Sequence, residues 1–346
     1  MREEVVGVNP KVNNLIRSYR QAEHDILWVL DSNVMVHPGT LARSIDALDD
    51  PLPPGSAPSR HRTALIHHVP FAIAAEANMG SRIEEAFLNT NHAKMYIAIN
   101  TFAIESCVVG KSNIYRRSDL ERVSGSLKPI PHQQTIPNQP ADRGLVAFGR
   151  FLAEDNMIAS ALWHELGLRH SLSCDVARNV VGNMTLNDYV QRRIRWIRVR
   201  KHMVFAATLL EPFTECVMLV TIASLSLRYI FSIPPWVTVI LHFTVWLSVD
   251  LDVYASLAGH PLPATIRWQF LTAWAVRELL ALPIFLLAIC GDEVVWRGNK
   301  YQVLRNGEVR SSTPPRYGWL EALKRLIWTP KSRECYDPIL QVPPDS

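Results

Sequence analysis

The feature that most limits how this chain can fold is an apolar region at residues 204–290. Within it, residues 229–249 contain no Asp, Glu, Lys or Arg. A helix of that length can cross the ~30 Å hydrocarbon core of a bilayer, which takes about 20 apolar residues. We therefore predict a membrane protein with one clear spanning helix.

The apolar segments on either side of this span carry charges. The segment before it contains Glu211 and Glu215, and the segment after it contains Arg277 and Glu278. Ionisable side chains at membrane depth are costly, so such a segment faces a bundle interior or a wet cavity, or lies along the interface. Four residues apart, Glu211 and Glu215 are expected to share one helix face, either as a wet side or as the polar wall of a substrate entrance. Adjacent helical residues such as Arg277 and Glu278 are not expected to face each other.

The composition excludes several other classes of protein. Hydrophobic residues make up 48% of the 346-residue chain and charged residues 20%, which allows a buried core and excludes disorder. A net charge of +4 is too small for a dedicated nucleic-acid-binding protein. The five cysteines include no C-x-x-C pair, so neither a disulfide framework nor a zinc site is indicated. Residues 1–20 are polar and do not resemble a signal peptide.

Strand and helix patterns alternate before the apolar region. Residues 26–30 have the pattern of a fully buried strand that ends at Asp31, residues 64–69 predict a second strand, and residues 95–115 predict β-structure interrupted by Gly110. Helices are predicted over residues 40–48, 81–89 and about 185–202. This alternation predicts an α/β sheet domain.

These patterns divide the chain into three parts. Residues 1–202 form the α/β domain, and residues 203–290 form a membrane region of two to three helices. Residues 291–346 form a basic C-terminal tail, in which residues 305–307 are a hairpin turn.

Three polar features could carry chemistry. Asp31 follows a strand, Glu154 and Asp155 stand at a helix start, and residues 192–201 hold a basic run beside the apolar region. Each also has a structural interpretation: a turn or cap for Asp31, compensation of the helix dipole for the acidic pair, and anchoring to anionic headgroups for the basic run.

Together these features match the needs of a sugar-nucleotide transferase. Such an enzyme holds a divalent metal with a carboxylate, because the charge of the departing diphosphate must be neutralised. It also needs a carboxylate base for the acceptor hydroxyl, arginines that bind phosphate, and an aromatic wall beside the acceptor. Asp31, Asp155, Arg192, Arg195 and Trp196 supply these groups.

Several longer stretches carry a family resemblance. They are residues 9–14 (NPKVNN), 28–33 (WVLDSN), 153–155 (AED), 192–196 (RRIRW) with Arg198, 210–216 (LEPFTEC), Arg277-Glu278, and Trp296-Arg297 with Tyr301. The chain resembles the ceramide glucosyltransferases, membrane-bound enzymes that transfer glucose from UDP-glucose to ceramide. The R-x-x-R-W element is shared with processive polysaccharide synthases, whereas NPKVNN and EPFTEC look specific to the ceramide family.

The resemblance implies a fold and a set of site residues. The fold is a nucleotide-sugar transferase A-type (GT-A) domain, here a partial one, followed by membrane helices. Asp31 corresponds to the aspartate that serves the donor diphosphate and a Mg²⁺ or Mn²⁺ ion, and Asp155 to the catalytic base. Arg192 and Arg195 are expected to hold the pyrophosphate, and Trp196 to shape the acceptor entrance.

The resemblance also implies two further acceptor-side residues and a location. His92 and Cys107 fall where the family has a His and a Cys near the site, although a surface-loop histidine and a small buried hydrophobe are equally open. The family places a membrane anchor and a nucleotide-binding unit ahead of the NPKVNN stretch, so the chain is expected to be N-terminally truncated. UDP-glucose, ceramide and the bilayer are the expected partners, in the Golgi or ER membrane with the catalytic domain facing the cytosol.

Other functions remain open at this point. They are a processive membrane polysaccharide synthase, a catalytically inactive membrane relative, and a transporter that uses the intramembrane Glu and Arg residues. A long α/β region ahead of the apolar helices fits the transporter poorly.

Overall fold

The computed structural model describes residues 4–49, 61–103, 105–125, 142–296 and 298–312. Its central feature is a five-stranded mixed sheet in the order β1-β4-β3-β5-β2. The strands are β1 (Ile26–Leu30), β2 (Val34–Met35), β3 (Thr63–Ala74), β4 (Ser112–Arg116) and β5 (Arg169–Val181). β3 and β5 run parallel at the centre, and the other neighbours pair antiparallel. This confirms the predicted α/β class, while the finer A-type assignment stays a prediction.

Helices surround the sheet and build its main core. They are α1 (Pro10–Gln21), α2 (Thr40–Asp49), α3 (Met79–Phe87), α4 (Ala93–Phe102), α5 (Arg117–Leu120), α6 (Glu154–His164) and α7 (Leu186–Met203). A π-helical turn at Leu88–His92 joins α3 to α4. The core between α1, α6 and the sheet buries Ile16, Leu65 and Ile158. α7 begins as the sequence predicts, with the Thr185 side chain accepting from the third backbone N–H of the helix.

Two local predictions are wrong. β1 is an edge strand with mostly half-buried residues, because only β4 pairs with it. Most of residues 95–115 is not β-structure: α4 occupies its first half and only β4 is a strand. β-branched and aromatic residues favour strands locally, but α4 continues from the π-helical turn and buries Tyr96 against Val69 and Ala93. Tertiary packing overrides local propensity here.

The apolar region forms four helices. They are α8 (Phe205–Leu210), α9 (Cys216–Phe231), α10 (Pro235–Ala258) and α11 (Arg267–Ile289). α10 and α11 are each long and apolar enough to cross a membrane, and the segment from α8 to α9, bent by 61°, is a third span if it counts as one. The described residues therefore hold two to three candidate spans. The charge-free window at residues 229–249 is not one helix, because Ser232 has φ 57° and Pro235 starts α10.

Several charged residues of this region form ion pairs inside the protein. Arg277 lies 2.9 Å from Glu215 and 2.6 Å from Glu278. The adjacent pair was not expected to interact, but the long Arg277 side chain folds back to reach its neighbour. Glu211 and Glu215 do not share a helix face either, because the chain bends between them and Glu211 pairs with Arg200 of α7.

α7 connects the sheet domain to the apolar helices. A second apolar cluster buries Phe87 of α3, Ile194 of α7 and Phe270 of α11 together. Near its end, α7 also satisfies the last carbonyl groups of α11. Arg198 donates to the Ala288 carbonyl at 3.3 Å, and Lys201 donates to the Ile289 carbonyl at 3.0 Å. Cations at a helix C-terminus are favourable, so this contact stabilises α11 against α7.

A small sheet follows α11. It contains β6 (Glu293–Trp296), β7 (Asn299–Val303) and β8 (Val309–Ser311), all antiparallel. The turn between β7 and β8 includes residues 305–307, where a hairpin is predicted, and Gly307 has φ 84° there. The rest of the predicted tail, residues 313–346, lies outside the described residues.

One buried ion pair gives a testable prediction about this fold. Asp250 of α10 is fully buried, lies 2.7 Å from Lys94 Nζ, and accepts a hydrogen bond from Trp274 of α11. Asp250→Asn leaves the Lys94 ammonium group without its counter-ion, which costs about 3–5 kcal/mol for a buried pair. We expect a clearly lower thermal unfolding midpoint in detergent. Asp252→Asn, on an exposed position of the same helix, is the control and should leave the midpoint unchanged. Equal midpoints for the two variants would contradict the prediction.

Candidate active site

A lysine ammonium group surrounded by carboxylates lies where α1, β1 and α6 meet. Lys11 Nζ is 3.0 Å from Asp31 Oδ1 and 3.2 Å from Glu154 Oε1. It also donates to the Gly110 carbonyl at 2.8 Å. Burial lowers the pKa of Lys11, but the negative charges of Glu154, Asp31 and Asp155 outweigh burial and raise that pKa above its usual value. Lys11 is therefore protonated and holds the acidic groups together.

Asn9 forms hydrogen bonds with both Lys11 and Glu154. Its side-chain oxygen caps α1 by accepting from the Lys11 backbone N–H at 2.8 Å. Its side-chain NH₂ group donates to Glu154 Oε2 at 2.7 Å and to the Phe151 carbonyl at 2.6 Å. Asn9 is fully buried. Its hydrogen bonds therefore fix the start of α1 against the start of α6.

Asp31 lies directly after β1, as the sequence predicts, and it binds two lysines. Its Oδ2 accepts from Lys111 Nζ at 2.9 Å, while Oδ1 contacts Lys11. Burial raises the pKa of Asp31, but the two ammonium groups lower it by more, so it is below its usual value. The pKa of Lys111 is below its usual value, mainly because the side chain is buried. The negative charge of Asp31 raises this pKa, and the positive charge of Arg192 lowers it. Arg192 therefore lies within electrostatic range of this cluster.

Asp155, the second residue of α6, has the environment of a proton acceptor. Burial raises its pKa to about 6, and the charge of Glu154 contributes in the same direction while Lys11 opposes it. Such a group changes protonation near neutral pH, where general bases work best. A Cβ atom at residue 110 would lie 2.6 Å from Asp155 Oδ2, so only glycine fits there. Lys11, Glu154 and Asp155 also line a small pocket.

The arginines of the RRIRW stretch contact other side chains. Arg192 Nε is 2.8 Å from the buried Glu84 Oε1, and its guanidinium lies 5.1 Å from the Trp196 ring centre. Arg195 lies 5.7 Å from the Trp296 ring centre, and burial lowers its pKa to about 10, with the charge of Arg192 as the next cause. Arg195 therefore remains positively charged at neutral pH.

His92 is buried rather than placed on a surface loop. It ends the π-helical turn, stacks on Tyr96 with ring centres 5.7 Å apart, and lies 6.0 Å from Trp196. Burial lowers its pKa to about 3, and the charge of Arg193 adds to that shift. His92 is thus a neutral ring in an aromatic group. π-helical turns of this kind are frequent at functional sites.

Cys107 lies beside this aromatic group. It is half-buried beside Tyr96. Burial raises its pKa to about 11, Arg200 opposes that shift and Asp155 adds to it. The side chain is therefore a thiol at neutral pH, close enough to both charges to respond to them.

The candidate residues thus form two neighbouring groups. The first is the lysine-centred cluster, in which Asp31, Glu154 and Asp155 surround Lys11. The second is the aromatic group of His92, Tyr96 and Trp196, and Arg192 lies at its edge. Neither arginine of the motif contacts Asp31 in the described part of the chain.

Sequence reasoning gave no role to three residues of this site, Lys11, Lys111 and Glu84. A signal existed for Lys11, because a cation in the first turn of a helix is opposed by the helix dipole and so needs another partner. We find no comparable signal for Glu84, which sits in an ordinary amphipathic helix.

The donor atoms present fit a divalent cation that also binds a substrate. Within the described ranges no group of three or more His, Cys, Asp and Glu residues is arranged to hold a metal. Mg²⁺, however, is commonly bound by one or two carboxylates together with substrate phosphates. Asp31 supplies one such carboxylate with a side chain that is 24% exposed, and a metal ion there would share its two oxygens with the ammonium groups of Lys11 and Lys111.

Comparison with known proteins places these groups in a family context. The model of glycosyl transferase family 21 matches residues 1–132 and 142–309, which include every candidate residue described above. A ceramide glucosyltransferase of Komagataella phaffii is 36% identical and is aligned over 86% of this chain and 68% of its own length. For those of Candida albicans and Pyricularia oryzae the identities are 30% and 32%, over 87% and 86% of this chain and 72% and 67% of their own lengths.

The raised pKa of Asp155 predicts a pH-dependent stability difference. Because its folded pKa of about 6 exceeds the ordinary 3.8, the folded state loses stability as pH rises through 6. Asp155→Asn removes this effect, so the stability of the variant relative to the wild type should rise by about 2 kcal/mol between pH 4.5 and pH 8. Thermal unfolding across this pH range measures it. A difference that does not change with pH would refute the assignment, and Asp46→Asn, exposed on α2, is the control.

Proposed function

The chain belongs to glycosyl transferase family 21, and we propose that it transfers glucose from UDP-glucose to the primary hydroxyl of ceramide, giving glucosylceramide. The relatives that carry the name ceramide glucosyltransferase match across most of the chain. The observation that carries the proposal is the position of Asp155, a base with a pKa of about 6 beside the cationic cluster at Asp31.

Asp155 accepts the proton of the attacking hydroxyl in this proposal. The primary hydroxyl of ceramide attacks the anomeric carbon in one inverting displacement, which forms the β-glucosidic bond and breaks the bond to UDP. At neutral pH Asp155 is mostly ionised, so it can take the proton as the new bond forms. Its position at the start of α6 holds it still.

The departing UDP carries negative charge, and cationic groups lie nearby. Lys11, Lys111 and Arg192 lie within electrostatic range of Asp31 or of each other. We assign Arg192 and Arg195 to the pyrophosphate, with Glu84 orienting Arg192. Mg²⁺ or Mn²⁺ bound at Asp31 would neutralise part of the diphosphate charge. The positive charges of Lys11, Lys111 and Arg192 would neutralise part of the diphosphate charge as well.

The residues assigned to the acceptor side are aromatic or neutral. Trp196 and His92 lie together, His92 is unprotonated and Cys107 is a thiol, while the guanidinium of Arg192 lies over the Trp196 ring. A polar but neutral lipid headgroup suits such a surface. Ceramide can reach it from the bilayer, because α7, which carries Trp196, packs directly on α11.

Helix α7 also indicates on which side of the membrane the sheet domain lies. A basic α7 immediately before the apolar region favours a cytosolic sheet domain. We propose a Golgi or ER membrane location with that orientation.

The first test removes the proposed base. Asp155→Asn should lower glucosylceramide formation by about 10²–10⁴-fold, because proton transfer in the transition state is lost. The rate with the wild-type chain should rise with pH through about 6, the pKa of Asp155. Both are measured with UDP-glucose and ceramide in membranes of cells that lack their own enzyme. Asp46→Asn is the control. Full activity of Asp155→Asn, or a wild-type rate that is flat from pH 5 to pH 8, would reject this role.

A second test concerns the divalent cation. After chelation with EDTA, activity should fall and should return on titration with Mg²⁺ or Mn²⁺. Asp31→Asn should raise both the metal concentration for half-maximal activity and the KM for UDP-glucose, because one carboxylate of the site is lost. The KM for ceramide should stay near that of the wild type. Activity that is indifferent to EDTA would remove the metal from the proposal.

A further inference from the structure

A cleft lies between α7, the bend that precedes α9, and α11. Phe87, Ile197 and Phe285 contribute apolar surface to it, while Arg193 and Glu215 contribute charge. Because α11 is a candidate spanning helix, the cleft lies beside a segment that can contact lipid. The proposed function assigns no role to this cleft.

Arg193 is the unusual residue of the cleft. It is 6% exposed, yet it forms no hydrogen bond or ion pair with any residue that the structure describes, and its Nη1 atom is buried without a partner. Its guanidinium instead lies over the rings of Phe87, at 3.7 Å, and Trp196, at 4.7 Å. A buried donor without an acceptor is destabilising, so the site is energetically incomplete without a ligand.

Three other arginines of the same region, unlike Arg193, form ion pairs with carboxylates. Arg192 contacts Glu84, Arg200 contacts Glu211, and Arg277 contacts Glu215. Each of them has a carboxylate partner supplied by the protein. Arg193, on α7 with two of them, is the buried guanidinium that lines the cleft with its hydrogen-bonding capacity unused.

The charge of the cleft favours a neutral occupant. The charged residues that line the cleft are two arginines, Arg193 and Arg277, and two glutamates, Glu211 and Glu215, so their formal charges sum to zero. A diphosphate would therefore lie beside two carboxylates, which is unfavourable. A lipid with an uncharged polar head and apolar chains matches both the balanced charge and the apolar surface.

The cleft adjoins the residues assigned to the acceptor side. Arg193 lies over the ring of Trp196, and the Trp196 ring centre is 6.0 Å from that of His92. Glu211, which lines the cleft, pairs with Arg200 of α7. A headgroup in the cleft would therefore lie beside the aromatic group.

We propose that Arg193 donates a hydrogen bond to the amide carbonyl oxygen of the acceptor lipid, and thereby makes the enzyme selective for N-acylated acceptors; this rests on the proposed function. A guanidinium has only donors, and the amide carbonyl is the acceptor-only group of a ceramide head. The lipid hydroxyls can both donate and accept, so they can be satisfied elsewhere. Arg193 is thus a specificity-determining residue, separate from the groups assigned to the donor.

The test compares two neutral lipids that each carry a primary hydroxyl, a short-chain ceramide and a dialkylglycerol that lacks any carbonyl. Arg193→Met should lower kcat/KM for the ceramide by about 10–100-fold, mainly through KM, the range for losing a hydrogen bond to a charged group. For the dialkylglycerol, tested by turnover or as a competitive inhibitor, the change should stay below about 3-fold. Arg193→Lys, which keeps a donor, should recover part of the loss. Arg43→Met, exposed on α2, is the control variant.

Three outcomes would overturn the inference. They are an unchanged KM for ceramide in Arg193→Met, an equal loss for both lipids, and a raised KM for UDP-glucose, which would place Arg193 at the donor. Binding of a fluorescent short-chain ceramide provides a readout without turnover. If this binding depends on Arg193 while the wild type forms no glucosylceramide, the proposed function fails and the recognition by Arg193 stands. Thermal unfolding of each variant identifies loss of the fold.

Discussion

The contact on which the candidate site depends is the ammonium group of Lys11 between the carboxylates of Asp31 and Glu154. These three residues come from α1, the end of β1 and the start of α6, so one cation fixes three elements. Like charges this close repel each other unless a cation separates them. Lys11 supplies that cation permanently, and Asn9 fixes its position. As a result Asp155 is held close to a positive charge while its own pKa remains high enough for a proton acceptor.

α7 is the second element that the function requires. One side of it carries Arg192 toward the lysine-centred cluster, and the neighbouring Arg193 lines the cleft beside α11. Its C-terminal half binds the last carbonyl groups of α11 through Arg198 and Lys201. The basic run therefore does more than attract anionic headgroups, because several of its members have partners within the protein. In the proposed function, donor-side and acceptor-side groups would thus be carried by one helix.

Sequence patterns predicted the features that depend on local chemistry. The apolar run that ends at Asp31, the cap at Thr185 and the apolar region all correspond to observed elements, and the family resemblance is confirmed by comparison. Features that depend on distant contacts were missed or wrong. Lys11 and Glu154 are far apart in the chain, so no local pattern joins them. Strand-like residues around Tyr96 became helix α4 because burial against β3 outweighed their local preference. The roles of Asp155 and Cys107 stay predictions.

The pairing of Arg277 with Glu215 has a consequence for how the chain enters a bilayer. On its own, α11 would carry two ionisable residues into hydrocarbon, which is costly. Glu278 of the same helix is one counter-ion of Arg277, and the other, Glu215, belongs to a segment that is synthesised earlier, at the start of α9. Glu215 is therefore synthesised before α11 leaves the ribosome, and we expect the last apolar helix to gain stability in the membrane once the bent segment before it has folded.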